Sequence, residues 1–143
     1  MAKINSIKIV VAEDDEDDKS FIIDAFKNLN LIDSVKFVEN GEELIKYLKK
    51  TERYPDIIFL DLNMPILNGI QSLKIIKNDI DFKKIPIIIL TTSKDQEDID
   101  KTYGSGISAY IVKPFSFEDL LMVVRETTNY YFNTVTLPYR YEE

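Results

Sequence analysis

Five short runs of β-branched and aliphatic residues punctuate the chain: IKIVVA, VKFV, DIIFL, IPIIIL and AYIVK. Each is bounded by polar or turn residues, and four are close to continuously apolar, the pattern of strands buried on both faces. Between them apolar residues recur at helical spacing: Ile22, Phe26 and Leu29; Leu44, Ile45 and Leu48; Ile70, Leu73 and Ile76; Ile99 and Tyr103. After the last strand, Ser116 and Asp119 have the spacing of a capping box ahead of Leu120, Leu121 and Val124. The alternation predicts a strand and a helix five times over. Such a pattern gives an α/β domain with a parallel sheet covered by helices on both faces, whose ligands bind beyond the carboxyl ends of the strands.

Those ends carry the chemistry. The first strand runs into Glu13 and Asp14, the third into Asp61, the fourth into Thr91 and the fifth into Lys113. In a parallel sheet these side chains converge on one edge. Six acids stand in a row from Glu13 to Asp18, and crowded like charges cost about 1 kcal/mol per close pair in water. Glu13, Asp14 and Asp61 form a hard oxygen donor set suited to Mg2+, which would offset that cost. Asp15 to Asp18 fall where the first helix starts, and its dipole favours them there.

Composition narrows the chemistry further. The 143 residues suit one domain, with 45% hydrophobic and 30% charged residues and a formal net charge of -7. That charge argues against sequence-independent binding to nucleic acid or anionic membranes. There is no cysteine and no histidine, which removes disulfides, thiol nucleophiles and histidine acid/base catalysis. The N-terminal apolar run is too short for a signal peptide and no segment reaches a membrane span, so a cytoplasmic protein is expected.

The acidic pair Glu13–Asp14, "FLDLNMPILNG" around Asp61, "ILTTS" at Thr91 and "YIVKPF" at Lys113 together resemble the response-regulator receiver domains of two-component signalling. The resemblance runs from about Ile7 to Tyr131, and the spacings from Asp61, thirty residues to Thr91 and fifty-two to Lys113, agree with it. It implies a flavodoxin-like (βα)5 fold with strand order 2-1-3-4-5, a receiver domain over 1–132 and a C-terminal extension over 133–143 without a separate output domain. Asp61 would be the phosphoacceptor; Asp14, Asp61 and the Asn63 backbone carbonyl would bind Mg2+ directly, with Glu13 helping through water. Lys113 would pair with phosphoryl oxygens, Thr91 would hydrogen-bond to them, and Tyr110 would be the aromatic switch residue. Pro114 resembles the family's cis proline. Gly69 and Pro65 are expected to serve backbone geometry.

Within the family, "LTTS", "YIVKPF" and the tail "FNTVTLP" look most like the small stand-alone regulators associated with bacterial phytochromes. The donor would be a phosphohistidine on a sensor histidine kinase or phosphotransfer protein, and the output a surface of the fourth helix, fifth strand and fifth helix. Activity would be limited to self-phosphorylation and slow autodephosphorylation. The tail YYFNTVTLPYRYEE holds four of the eight tyrosines, which suggests a homodimer using that face and Tyr130 to Tyr141; the alternative is that the tail folds back over the sheet edge. Three rival readings share parts of the residue set or the fold class. An aspartate-nucleophile, Mg2+-dependent phosphohydrolase would carry Asp-x-Asp on its first strand, whereas position 63 here is Asn. A receiver-fold adaptor independent of phosphorylation would not need all the site residues. A flavodoxin-type cofactor binder would need a phosphate-cradling loop where six carboxylates stand.

Overall fold

In the computed structural model, residues 7–139 are described, and the apolar runs become five parallel strands: β1 (Ile9–Ala12), β2 (Val35–Val38), β3 (Ile57–Leu60), β4 (Ile87–Thr91) and β5 (Ala109–Val112). Their order across the sheet is β2-β1-β3-β4-β5. Ile9 sits opposite both Val35 and Ile57, so the ends of β1, β2 and β3 are level. Five α-helices follow the strands: α1 (Glu16–Asn28), α2 (Gly41–Lys50), α3 (Gly69–Lys77), α4 (Gln96–Gly104) and α5 (Phe117–Asn129).

Alternate strand residues face opposite sides. Val10, Ala12, Ile58, Leu60, Ile87 and Ile89 pack with Leu44, Leu48, Leu73 and Ile76 of α2 and α3. Ile9, Val11, Ile57, Phe59, Ile88 and Leu90 pack with Ile22, Phe26, Leu120 and Val124 of α1 and α5. Burying one such aliphatic side chain stabilises by roughly 1.5–3 kcal/mol, so β1, β3 and β4 are fixed from both sides. By contrast α4 is lightly held, with Thr102 its one buried residue.

Short polar side chains start the helices. Asp15, Asn40 and Ser116 each accept a hydrogen bond from a backbone N–H in the first turn, and Asn68 with Gln71 completes a reciprocal capping box ahead of α3.

The described part of the C-terminal segment takes the second of the two arrangements expected for the tail. Beyond α5 a π-helical turn, Tyr130–Thr134, leads into a segment whose Leu137 packs on the α1–α5 side of the sheet and whose Tyr139 packs on the α2–α3 side. Tyr131 and Leu137 are buried on the α1–α5 side. Tyr139 lies edge-on to Tyr54, which lies edge-on to Phe82, and its hydroxyl donates to the Asp81 carbonyl at 2.5 Å. The tail thus folds back on its own domain: the exposed amino edge of the sheet offers apolar surface, and these side chains cover it. Tyr130 stays exposed, and Tyr141 lies outside the described residues.

Candidate functional site

Four of the five strands, β1, β3, β4 and β5, bring functional groups to the carboxyl edge at or just past their last residues. The Glu13 N–H donates to the Val38 carbonyl and the Asp61 N–H to the Ala12 carbonyl, so both acids sit one residue past their strands, held by the last ladder bonds. The loop after Asp61 is pinned close by: a Cβ on Gly69 would lie 2.3 Å from the Asp61 carbonyl oxygen, so only glycine lets α3 start there. Lys113 is fixed likewise, its N–H donating to the Thr91 carbonyl at 2.7 Å.

At the centre is the Lys113 ammonium. Its Nζ lies 2.6 Å from Glu13 Oε1, 2.7 Å from Asp18 Oδ2 and 3.3 Å from Asp61 Oδ2. Glu13 and Asp61 are buried and Asp14 is half-buried. Burial alone would lower the Lys113 pKa, but the ion pairs with Asp18 and Glu13 outweigh it, and the group stays charged well above its ordinary value. Burial pushes the Glu13 carboxyl up to about 8 against the opposing pull of Lys113. One cation therefore serves several carboxylates, and the site retains excess negative charge.

Carboxylate oxygens of Glu13, Asp14 and Asp61 come within 4.8 Å of one another. Close, hard, anionic and only partly neutralised, they fit a small divalent cation with oxygen preference. The Asn63 N–H approaches Asp61 Oδ1 at 3.4 Å, which keeps the backbone at position 63 beside the cluster.

Thr91 and Tyr110 stand further along the same edge. The Thr91 side chain is buried and its Oγ1 accepts a long bond, 3.4 Å, from the Ser93 N–H. Tyr110 packs against the core, and its hydroxyl donates to the Ser93 carbonyl at 2.9 Å. Ser93 in turn donates from its hydroxyl to Asp98 of α4 at 2.7 Å. A chain of contacts thus links Thr91 to Tyr110 and α4 through one loop residue.

Two expectations change here. Asp18 is not only a helix-start acid: Asp15 caps the helix, and the Asp18 carboxylate reaches Lys113, ninety-five positions away. Sequence spacing gave no sign of it, since the contact depends on how α1 leaves β1. The Lys113–Pro114 bond is trans, the isomer favoured by about 0.5–1 kcal/mol, and the ammonium reaches the acids in that form.

The family model for the response regulator receiver domain matches residues 9–125. The chain belongs to this family. Rcp1, a response regulator of Synechocystis sp., is 29% identical over 135 residues, which are 91% of this chain and 92% of Rcp1, so the relative is itself little longer than a receiver domain. FilR2, a probable methanogenesis regulatory protein of Methanothrix harundinacea, is 31% identical over 86% of this chain and 82% of its own. Among solved structures, the phosphorylated cyanobacterial phytochrome response regulator RcpA superposes with a TM-score of 0.86 at 33% identity, covering 93% of this chain and 99% of RcpA. The Mn2+-bound form of Rcp1 superposes with a TM-score of 0.81 at 27% identity, over 93% and 99% of the two chains. The receiver fold and its likeness to phytochrome-associated regulators thus hold as expected from the sequence. Receiver domains take phosphoryl groups from histidine kinases and bind Mg2+ or Mn2+ in the active site. No helix among the described residues is long and apolar enough to cross a membrane.

Proposed function

We propose that this chain is a phosphorylation-switched response regulator whose phosphoacceptor is Asp61. The observation that carries the reading is the Lys113 ammonium set among Glu13, Asp18 and Asp61, beside the Glu13–Asp14–Asp61 donor set.

The donor is a phosphohistidine on a sensor kinase or phosphotransfer protein, since this sequence has no histidine of its own. An Asp61 carboxylate oxygen attacks phosphorus; the new O–P bond forms as the N–P bond breaks, and the electron pair leaves with the imidazole, which takes up a proton. Lys113 neutralises phosphoryl oxygens through this step, and Glu13 holds the ammonium in place. Mg2+, held by Asp14, Asp61 and the Asn63 carbonyl with Glu13 acting through water, would supply further charge neutralisation and alignment.

The new charge at Asp61 gives Thr91 a better partner than its long bond from Ser93. A Thr91 hydroxyl turned toward the phosphoryl group displaces Ser93, and Tyr110 follows because its hydroxyl is tied to the Ser93 carbonyl. The lightly buried α4 then shifts, which changes the surface of α4, β5 and α5. This is a population shift between two states. The same face, where Tyr103 and Met122 are exposed, is proposed as the contact between two copies in a homodimer. A cytoplasmic location, with protein partners rather than nucleic acid or membrane, completes the reading.

The test is direct. With acetyl phosphate or a phosphorylated kinase and Mg2+, mass mapping should find one acyl phosphate at Asp61, and Asp61→Asn should lose it. Equal labelling of Asp61→Asn would refute the assignment. Rapid turnover of small phosphoesters would favour the phosphohydrolase instead.

A further inference from the structure

The three N–H bonds of Lys113 are all spoken for, and one of them is taken by a residue the proposed chemistry does not use. Asp18 Oδ2 lies 2.7 Å from Nζ, whereas Asp61 Oδ2 lies at 3.3 Å. An ammonium has three donors, and Glu13, Asp18 and Asp61 occupy them. Asp18 has no other evident duty. Asp15 provides the cap of α1, Asp18 contributing only its backbone N–H to it, and Asp18 does not belong to the metal-type cluster of Glu13, Asp14 and Asp61.

We propose that Asp18 is a positioning residue that holds the Lys113 ammonium toward α1 and so restrains it from the phosphoryl group on Asp61. This rests on the reading of Asp61 as phosphoacceptor. Phosphorylation would pull the ammonium toward Asp61, and full pairing with the phosphoryl oxygens requires Lys113 to let go of Asp18. The surroundings permit the separation. Asp18, Phe21, Ile22, Lys113, Pro114 and Leu120 line a small cavity into which the two groups can part. A freed Asp18 carboxylate remains favoured in the first turn of α1, where the helix dipole stabilises negative charge. Asp18 therefore sets the strength of phosphoryl capture, and its release loosens a tie between α1 and the end of β5 each time the site is charged.

Beryllofluoride, a phosphoryl mimic, titrated with Mg2+ into the full chain and followed by amide NMR, reads the restraint. Asp18→Asn keeps the shape and removes the charge, and should bind about three- to tenfold tighter, the scale of a partly buried ion pair exchanged for a neutral contact. Asp18→Glu restores the charge and should stay within about twofold of wild type on the same reasoning. Asp17→Asn, which removes an exposed charge one residue away, should leave affinity unchanged. If Asp18→Asn does not fold, Asp18→Ser must show the same gain. Unchanged or weaker binding in the neutral variants overturns the proposal. So does an equal gain in Asp18→Glu or Asp17→Asn, because shape or overall charge would then be the cause. Wild type that binds no beryllofluoride at all overturns the phosphoacceptor reading together with this one, and that result is distinct from a binding wild type with indifferent variants.

Discussion

At the amino-terminal edge of the sheet, a buried acid, Asp56, receives the Lys8 backbone N–H at 2.9 Å and Arg53 Nη2 at 3.2 Å. At the carboxyl-terminal edge, Glu13, Asp18 and Asp61 share the one ammonium of Lys113. Burying a charge is costly unless it is paired and hydrogen-bonded, so Asp56 is an acid provided for and the acids around Lys113 are acids left short. Stability is concentrated at the amino edge of this fold. The amino edge is finished with aromatic packing by Tyr54, Phe82 and Tyr139, while the carboxyl edge keeps excess negative charge of the kind a divalent cation would offset.

The sharpest way to test that division is to damage the finished edge. Leu137→Ala should cost about 2–4 kcal/mol, because Leu137 is buried among core residues and its loss leaves a cavity. Urea unfolding measures this, and labelling of Asp61 in the folded fraction should be unchanged. A large fall in labelling would mean that the two edges are not independent. Light scattering on the same variant, with and without beryllofluoride, should leave the oligomeric state as in wild type, since the proposed dimer face is α4, β5 and α5. Monomers of both proteins under both conditions would remove the dimer.

How far the sequence led follows from the same contrast. The strand ends were legible because β1, β3 and β4 are buried on both faces and so read as unbroken apolar runs, and what a parallel sheet brings to its carboxyl edge follows from topology alone. Glu13, Asp14, Asp61 and Lys113 come together for that reason. Asp18 was not legible, since its contact depends on the angle at which α1 leaves β1, and local helix-start chemistry explained its charge equally well. For the tail the sequence leaves two alternatives open: aromatic residues suit an interface between copies and an interface within one chain equally, and only the tertiary structure shows that Tyr131, Leu137 and Tyr139 are satisfied internally. The isomer at Lys113–Pro114 is not legible in the sequence, because the dipeptide Lys-Pro permits both isomers at small cost.

A medium-sized effect should appear on the unfinished edge as a pH dependence. Burial raises the Glu13 carboxyl in the folded protein from its ordinary 4.5 to about 8. The folded state then holds a proton that the unfolded chain releases, so this group's contribution is fully present below pH 4.5 and is lost as pH rises toward 8. In the absence of Mg2+, wild type should lose about 1–2 kcal/mol relative to Glu13→Gln between pH 5 and 8, less than the full linkage of the shift because relaxation and water entry soften the burial of a charge. Parallel denaturant series at the two pH values measure it. A Glu13→Gln variant that becomes the less stable protein at pH 8 would show that the ion pair outweighs burial.

The smallest effect concerns backbone strain, and it too divides the edges. Among the described residues, two non-glycine residues have left-handed backbone: Asn30, with φ 59°, in the connection after α1 at the amino edge, and Ile66, with φ 69°, in the loop after Asp61. Asparagine tolerates this region, whereas a β-branched side chain there is a genuine outlier costing about 1–2 kcal/mol. Ile66 is 72% exposed, so little packing offsets the strain. Replacing it by the residue that serves the amino edge, Ile66→Asn, should therefore raise stability by about 0.5–1 kcal/mol, and Asn30→Ile should lower it by a similar amount. Thermal and urea unfolding of the two variants give the comparison. If Ile66→Asn is no more stable than wild type, contacts of the isoleucine already balance its backbone, and strain is not a property that separates the site loop from the rest of the fold.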